Sequence, residues 1–176
     1  FQDTVTKYSI PHELIDAFMK SMKLDLFKTE YKSVEEYNDY IYGSADVVGL
    51  MCLKVFVKGD DALFEKLKNS AMRLGSAFQK VNFLRDLKAD FEGLNRTYFP
   101  NTDLNKLTET SKKEIIEDIE ADFKMAYEGI LRLPIEAKFG VYTAYRYYKR
   151  LLTRLKTTPS TEIKNARIRV PDYQKV

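Results

Sequence analysis

The chain has 176 residues, 44% of them hydrophobic, and a net charge of +3. This length favours one domain with its own core, and the near balance of charge argues against a nucleic-acid-binding protein, which would show a strong basic excess. One cysteine and one histidine exclude a disulfide framework and a multi-histidine metal site.

Five helices are predicted along the chain, and no segment has the alternation typical of a strand. Two of them start at capping-box patterns, Ser33 with Glu36 and Ser111 with Glu114. Few glycines and prolines also favour an all-α protein, and no apolar run reaches the 18 residues that would suggest a membrane span. The predicted helices begin near Pro11, Ser33, Asp61, Ser111 and Pro134, and the last four end near Lys58, Phe91, Leu133 and Lys156.

The third and longest predicted helix carries a polar stripe. At about 100° per residue, Gln79, Asn82, Asp86 and Asp90 fall within an arc of about 80°. The apolar and small residues that share this face are Met72, Gly75 and Phe83. Such a mixture favours the wall of a cavity over a solvated surface.

Two carboxylates four residues apart repel by only a few tenths of a kcal/mol, so Asp86 and Asp90 alone are also compatible with a solvated acidic face. Mg²⁺ takes one or two carboxylates together with substrate phosphates and waters. The pair is therefore a candidate Mg²⁺ site, with Asn82 as a further oxygen ligand. Arg85 lies beside the stripe and is expected to contact a phosphate or to pair with a carboxylate.

The stripe also has a family resemblance. The pattern resembles the second aspartate-rich motif of squalene and phytoene synthases, and it is formed by Gln79, Asn82-x-x-Arg85-Asp86-x-x-x-Asp90 and Arg96-x-Tyr98-x-Pro100. Residues 40–51 resemble the Tyr-x-x-x-x-Ala-Gly-x-Val-Gly segment of the family, with Asp46 where the family usually has glycine. Residues 148–152 and 167–170 resemble its last helix and arginine-rich end.

The resemblance implies an all-α isoprenoid synthase fold, a helical bundle around a central cavity, with residues 1–176 as a single helical domain. It implies Mg²⁺-dependent head-to-head condensation of two prenyl diphosphates through a cyclopropyl diphosphate, in carotenoid or isoprenoid biosynthesis. Geranylgeranyl diphosphate would give phytoene, and farnesyl diphosphate would give squalene or dehydrosqualene. NADPH is expected only if squalene is the product. The residues Gln79-Lys80-Val81-Asn82 are similar to squalene synthases. The short C-terminus without an apolar anchor is instead similar to bacterial phytoene synthases, which favours that branch of the family.

In this family two aspartate-rich motifs share the metal cluster, but no Asp-x-x-x-Asp precedes Tyr40 in this chain. By resemblance, the first motif lies upstream of Phe1. We therefore expect the chain to be the C-terminal two-thirds of a synthase, incomplete at its N-terminus and inactive by itself. The alternative is a non-catalytic helical member of the family that acts as an interaction subunit; the missing motif favours it, and the intact second motif opposes it.

The resemblance also assigns candidate roles. The candidate catalytic residues are Tyr40, Arg85, Asp86, Asp90, Tyr98 and Tyr148. The candidate substrate-binding residues are Ser44, Ala45, Val48, Gly49, Gln79, Asn82, Arg96 and Arg167. The candidate metal ligands are Asp86, Asp90 and Asn82.

Several of these assignments have structural alternatives. The tyrosine rings could stabilise an allylic cation or be ordinary core residues. The small residues between Ser44 and Gly49 could line a prenyl pocket or allow close helix packing. Cys52 is expected in the core.

Prenyl diphosphates are the expected partners, with no nucleic acid. The C-terminal part is basic, and its basic residues either form a solvated face or contact anionic lipid. We therefore expect a cytoplasmic protein, with a peripheral contact at the inner face of the membrane as the further possibility. The basic residues concerned are Lys149, Arg150, Arg154, Lys156, Lys164, Arg167 and Arg169.

Overall fold

The computed structural model describes residues 1–100, 102–103, 105–165 and 168. Within these residues the protein is helical, and the pair Glu30 and Thr97 forms an isolated parallel bridge. The elements are α1 (Gln2–Lys7), α2 (His12–Leu24), α3 (Val34–Ile41), a π-helical turn (Tyr42–Asp46), α4 (Val47–Phe56), α5 (Asp61–Leu94), α6 (Glu109–Ile130), α7 (Ile135–Thr157) and α8 (Ser160–Ile163). The all-α prediction is confirmed, and the short helices α1 and α8 add to the five predicted helices.

The helix starts follow from side-chain caps, with two differences from the predicted patterns. Ser33 Oγ accepts the N–H of Glu36 at 3.1 Å, but the Glu36 carboxylate accepts the N–H of Lys32 at 2.9 Å, so the box is not reciprocal. The prediction that Ser111 starts α6 is wrong. Thr108 is the N-cap, and Thr108 and Ser111 each accept the other's N–H, at 3.0 and 3.1 Å.

One continuous helical run links α3 to α4, as the sequence predicts, but the π turn interrupts its regular hydrogen bonding. Two glycines allow this run to pack closely against α5. A Cβ on Gly75 would lie 2.6 Å from the Ala45 carbonyl oxygen, and one on Gly49 would lie 2.6 Å from the Ala71 carbonyl oxygen. No real Cβ contact is so short, so both positions require glycine for backbone packing.

Helix α5 is the centre of the fold. Its 34 residues give a length of about 50 Å, and it contacts the π turn, α4, α6, α7 and α8. Val81, Leu84 and Leu87 of α5 are buried with side chains of α3, α6 and α7 in the larger core cluster. A smaller cluster joins α2, α4 and the first part of α5.

A buried ionic network joins α5 to α6. Lys80 Nζ lies 2.5 Å from Asp118 Oδ2 and 2.7 Å from Asp122 Oδ2, and Arg73 Nη1 lies 3.1 Å from Asp122 Oδ1. Lys80 and Asp122 are 6% and 3% exposed. Because buried charges need partners, this network is part of the helix–helix interface.

Among the described residues, no helix is both long and apolar enough to cross a membrane.

Candidate active site

The polar stripe on α5 is half-buried, as its mixed composition predicts. Gln79, Asn82, Asp86 and Asp90 all have intermediate exposure, while Phe83 between them is buried. The stripe begins beside a cavity at Gln79 and continues along α5 towards its C-terminal end. The structure therefore brings together the four side chains that the helical spacing places on one face.

Arg85 pairs with its neighbour in the chain. Its Nε donates to Asp86 Oδ1 at 2.9 Å, and its Nη2 donates to Asp86 Oδ2. Both side chains are 18% exposed, and the hydrogen bonds to Asp86 raise the pKa of the Arg85 guanidinium. Of the two predicted partners of Arg85, a phosphate or a carboxylate, the carboxylate contact is thus present.

Asn82 is joined to α7. The hydroxyl of Tyr148 donates to Asn82 Oδ1 at 3.3 Å, and the Tyr148 ring stacks on Phe78 with 4.0 Å between the ring centroids. Since Phe78 also lines the cavity, Tyr148 contacts both the cavity wall and the stripe.

The donor set of the stripe suits a hard cation. It offers two carboxylates four residues apart on one helical face, with an amide oxygen one turn earlier, and Mg²⁺ uses one or two carboxylates and completes its shell with phosphate oxygens and waters. No group of three or more His, Cys, Asp or Glu side chains comes close enough to hold a metal within the described ranges. Asp86, Asp90 and Asn82 would therefore supply only part of the ligand set of such a cation.

An apolar cavity of about 350 Å³ adjoins the start of the stripe. The π turn, α4, α5, α6 and α7 all contribute to its wall, and Ser44 and Gln79 are among its few polar side chains. The Gln79 amide donates to Ser44 Oγ at 3.4 Å. From Ser44 to Phe56 the wall follows about 18 Å of helix. Ser44 and Gln79 form a polar pair where the cavity meets the stripe, and most of the other lining residues are apolar.

The small residues predicted to bind substrate do line this cavity: Ser44, Ala45, Val48 and Gly49. Gly49 also meets the close-packing alternative, because its Cα abuts the backbone of α5. The prediction that Cys52 is a core residue is wrong. Cys52 is exposed on the cavity wall, one turn of α4 beyond Val48, and desolvation by the surrounding side chains raises the pKa of its thiol.

The predicted tyrosines differ in environment. Tyr40 and Tyr98 are buried in an aromatic cluster, in which Tyr98 stacks on Phe83 at 3.8 Å and on Tyr40 at 5.7 Å. Tyr31 is the third ring that stacks on Tyr98, with 5.9 Å between the ring centroids. Burial raises the pKa values of the Tyr40 and Tyr98 hydroxyls, so both stay protonated. These two rings pack as core residues do, whereas Tyr148 is only half-buried.

Arg96 has protein partners. Its Nη2 donates to the backbone carbonyl oxygen of Asp25 at 2.6 Å, its Nη1 lies 3.5 Å from Asp25 Oδ1, and Nη1 also donates to the Tyr98 hydroxyl at 3.2 Å. Sequence reasoning missed Asp25, because no spacing rule relates it to a residue 71 positions away. Arg167, the other predicted substrate-binding arginine, lies outside the described residues.

Asp46, the departure from the family pattern, is buried in the π turn. Its Oδ1 accepts the Ser76 hydroxyl at 2.6 Å. Burial raises its pKa to about 6, against the hydrogen bond from Ser76, which lowers it. The aspartate is thus accommodated by one short hydrogen bond to α5 and does not point to a separate site.

The fold and the site define a helical protein whose apolar cavity ends at a half-buried stripe of amides and carboxylates. A profile of the squalene/phytoene synthase family matches residues 1–174. The chain belongs to this family.

Sequence relatives support this family assignment. The chain is 27% identical over 170 residues to a chloroplastic phytoene synthase of Narcissus pseudonarcissus, a match that covers 87% of this chain and 40% of that protein. It is 24% identical over 161 residues to the 15-cis-phytoene synthase of Enterobacter agglomerans, covering 81% and 53%. The chain thus spans about half or less of the length of these relatives.

A solved structure shares the fold. The squalene synthase HpnC from Alicyclobacillus acidocaldarius superposes with a TM-score of 0.74 at 20% identity, covering 88% of this chain and 64% of that one. The predicted isoprenoid synthase architecture is therefore confirmed.

Proposed function

We propose that this chain provides the second aspartate-rich half of a synthase that condenses two prenyl diphosphates head to head, through a cyclopropyl diphosphate. The observation that carries the proposal is the continuity between the two parts of the site. An apolar cavity of about 350 Å³ ends at Gln79, and Gln79 begins the stripe that leads to Asp86 and Asp90. A prenyl diphosphate has the same division into a long apolar tail and a polyanionic head.

The tail belongs in the cavity. Burying apolar surface is worth about 25 cal/mol per Å², and the wall between Val48 and Phe56 presents mainly apolar atoms. A closely packed wall also excludes water from an allylic cation, which water would otherwise capture. The residues of the π turn and α4 thus serve binding and protection, not proton transfer.

The diphosphate head belongs at the stripe, together with Mg²⁺ held by Asp86, Asp90 and Asn82. When bound, Mg²⁺ supplies Lewis-acid stabilisation of a leaving diphosphate, worth several kcal/mol. Arg85 offers paired N–H donors to the same anion, at the cost of its present contact with Asp86. The Tyr148 hydroxyl donates to Asn82 Oδ1 and restrains the orientation of this amide.

Two versions of the reaction are compatible with the site. Geranylgeranyl diphosphate would give phytoene, and farnesyl diphosphate would give squalene or dehydrosqualene, with NADPH needed only for squalene. The relatives include phytoene synthases at 24–27% identity, which supports the phytoene version and a place in carotenoid biosynthesis.

The chain carries one of the two acidic motifs of the family pattern, so we expect it to give no product by itself. The alternative function, a non-catalytic interaction subunit, has less support. A protein without metal chemistry has no need to keep Asp86, Asp90 and Asn82 on one half-buried face.

Peripheral membrane contact and a cytoplasmic location stay predictions. Three of the basic residues considered for lipid contact have internal partners: Lys156 pairs with Glu120 at 2.9 Å, Lys164 donates to the Asn105 carbonyl oxygen at 3.2 Å, and Lys149 lies over the Phe123 ring at 5.4 Å. Such contacts favour a folded, solvated face over a lipid-binding segment.

The proposal is tested by product analysis. The chain and the longest natural protein that contains it are each incubated with Mg²⁺ and farnesyl or geranylgeranyl diphosphate, and the organic extract is analysed. A head-to-head C30 or C40 hydrocarbon from the longer protein is the expected result, and its carbon count identifies the substrate. A folded longer protein that forms no such product with either substrate would contradict the proposal.

The cavity is tested separately by filling it. Val48→Phe places a ring on the wall, and we expect turnover to fall by about 10- to 100-fold, because the loss of one small subsite is worth about 1–3 kcal/mol. Val34→Phe is the matched control, since Val34 is 63% exposed at the start of α3 and lies outside the cavity. Equal activity of both variants would show that the tail does not occupy this cavity.

A further inference from the structure

Asp25 occupies a junction between three parts of the chain. It follows the last residue of α2, and its Oδ1 accepts the Tyr40 hydroxyl from α3 at 2.7 Å. The same oxygen lies 3.5 Å from Arg96 Nη1, in the segment after α5. The Asp25 side chain is 27% exposed and that of Arg96 is 13% exposed, so the pair is partly desolvated and stronger than a surface ion pair.

Two further hydrogen bonds hold Arg96 at this junction. Its Nη2 donates to the backbone carbonyl oxygen of Asp25 at 2.6 Å, and its Nη1 donates to the Tyr98 hydroxyl at 3.2 Å. A planar guanidinium with these contacts has a fixed orientation. Its position therefore depends on Asp25.

The junction is continuous with the acidic stripe. The N–H of Arg96 donates to the Asp90 carbonyl oxygen at 2.9 Å, and the N–H of Thr97 donates to the Thr29 carbonyl oxygen at 2.8 Å. The first bond closes the C-terminal end of α5, and the second joins the segment after α2 to the segment after α5. Displacing Asp25 would therefore move Arg96, whose N–H is bonded to the end of α5 at Asp90.

The aromatic cluster around Tyr40 and Tyr98 also connects this junction to α5. Tyr40 and Tyr98 stack at 5.7 Å, and both pack on Phe83 of α5, at 6.1 and 3.8 Å. Asp25 thus holds the hydroxyl of Tyr40 directly and that of Tyr98 through Arg96. One carboxylate therefore orients the two tyrosine rings that pack on Phe83.

We propose that Asp25 is a positioning residue for the condensation. Acting through Arg96 and Tyr40, it fixes the segment after α5. Because the N–H of Arg96 is bonded to Asp90, it thereby also fixes the position of Asp90 relative to the diphosphate. This inference rests on the proposed function. In it, Arg96 acts by holding the site in place rather than as an independent diphosphate ligand.

The expected kinetic signature follows from the two-part site. The tail binds in the cavity, away from Asp25, whereas the diphosphate region depends on the junction. Asp25→Asn keeps an acceptor for Tyr40 but removes the charge that pairs with Arg96. We expect kcat to fall about 10- to 100-fold while KM for the prenyl diphosphate stays within about threefold.

The test is a double-mutant cycle on the longest natural protein that contains this chain. Asp25→Asn, Arg96→Gln and the double variant are compared for kcat, KM and thermal midpoint. If Asp25 acts through Arg96, the double variant is no slower than Arg96→Gln alone, because coupled residues are not additive. Asp39→Asn, which removes an exposed carboxylate next to Tyr40 in the chain, is the matched control and is expected to keep wild-type kcat.

The outcomes separate the two proposals. An active wild type whose Asp25→Asn variant keeps its kcat, or whose two single losses multiply in the double variant, overturns the role of Asp25 and leaves the proposed function standing. A folded wild type with no product contradicts the proposed function itself. If Asp25→Asn does not fold, Asp25→Glu, which keeps the charge but shifts the carboxylate, replaces it in the cycle with the same expected coupling to Arg96.

Discussion

The protein contains two pairs of aspartates with identical spacing, and the structure gives them opposite surroundings. Asp86 and Asp90 lie on the half-buried stripe of α5, beyond the polar end of the cavity. Asp118 and Asp122 lie on α6, where Lys80 contacts both, at 2.5 and 2.7 Å. The first pair belongs to a face that leads away from a cavity, and the second belongs to a helix–helix interface.

The contrast shows that an Asp-x-x-x-Asp pattern by itself does not identify a metal site. What distinguishes the α5 pair is its surroundings: an amide side chain, Asn82, lies one turn earlier on the same face, and the apolar cavity begins one further turn before it, at Gln79. The α6 pair is neutralised by Lys80 and Arg73 from α5. Four variants test this distinction.

The largest effect is expected for Asp86→Asn. It removes a charge from the proposed metal and diphosphate site, so turnover should fall by at least about 10³-fold, which corresponds to about 4 kcal/mol. The thermal midpoint should change by less than about 3 °C, since the Asp86 side chain is partly exposed. Product assay and thermal unfolding of the same preparation check this, and a large loss of stability with retained turnover would assign Asp86 to the structure instead.

The same chemical change in the α6 pair should have the opposite result. Asp122→Asn leaves Arg73 without its carboxylate and weakens the neutralisation of buried Lys80. Losing one partner of a buried ion pair costs about 3–5 kcal/mol, and we expect about 3, because Lys80 keeps Asp118. Denaturant unfolding measures this loss. The kcat of the folded protein should stay within about threefold of wild type, and a specific loss of kcat would remove the distinction between the pairs.

The third variant changes Asp46, a buried carboxylate that is close enough to Asp122 of the α6 pair to feel its charge. Asp46 has a folded-state pKa of about 6, raised mainly by burial and also by Asp122, against about 3.8 when unfolded. Its favourable contribution is complete below pH 3.8 and is lost as the pH rises through 6, and ionising it in the folded protein costs up to about 3 kcal/mol.

Asp46→Asn should therefore raise the free energy of unfolding by about 1–3 kcal/mol at pH 8 and by less than about 1 kcal/mol at pH 4. The amide oxygen can still accept the Ser76 hydroxyl. Urea unfolding of both proteins at the two pH values checks the sign. A gain that is larger at pH 4 than at pH 8 would contradict a buried carboxylate with a raised pKa.

The smallest effect is expected for Asp118→Asn. The Asp118 side chain is 59% exposed, and pairs that are exposed to this extent contribute about 0–1 kcal/mol. Both the stability and the kcat should stay close to wild type. A loss of turnover comparable to that of Asp86→Asn would mean that the α6 pair takes part in the reaction.

Much of this arrangement could be predicted from the sequence. The five main helices and the half-buried stripe follow from local periodicity and spacing, and the small residues from Ser44 to Gly49 do line the cavity. These features are local, and the helix geometry is the same in every protein.

The remaining features depend on contacts between distant parts of the chain. The pairing of Lys80 with the α6 aspartates, the role of Asp25 at the junction and the exposure of Cys52 all require the packing of one element on another. The predicted cap of α6 is wrong for a different reason: Ser111 fits two positions of a capping box, and only the structure shows Thr108 as its partner.

The most direct test of the central claim is the binding of inorganic diphosphate, measured by calorimetry with and without Mg²⁺ on the longest natural protein that contains this chain. Wild type, Asp86→Asn and Asp118→Asn are compared. The α5 pair as the metal and diphosphate site predicts Mg²⁺-dependent binding that Asp118→Asn keeps and Asp86→Asn loses. Equal binding by all three proteins, or loss of binding in Asp118→Asn alone, would contradict it.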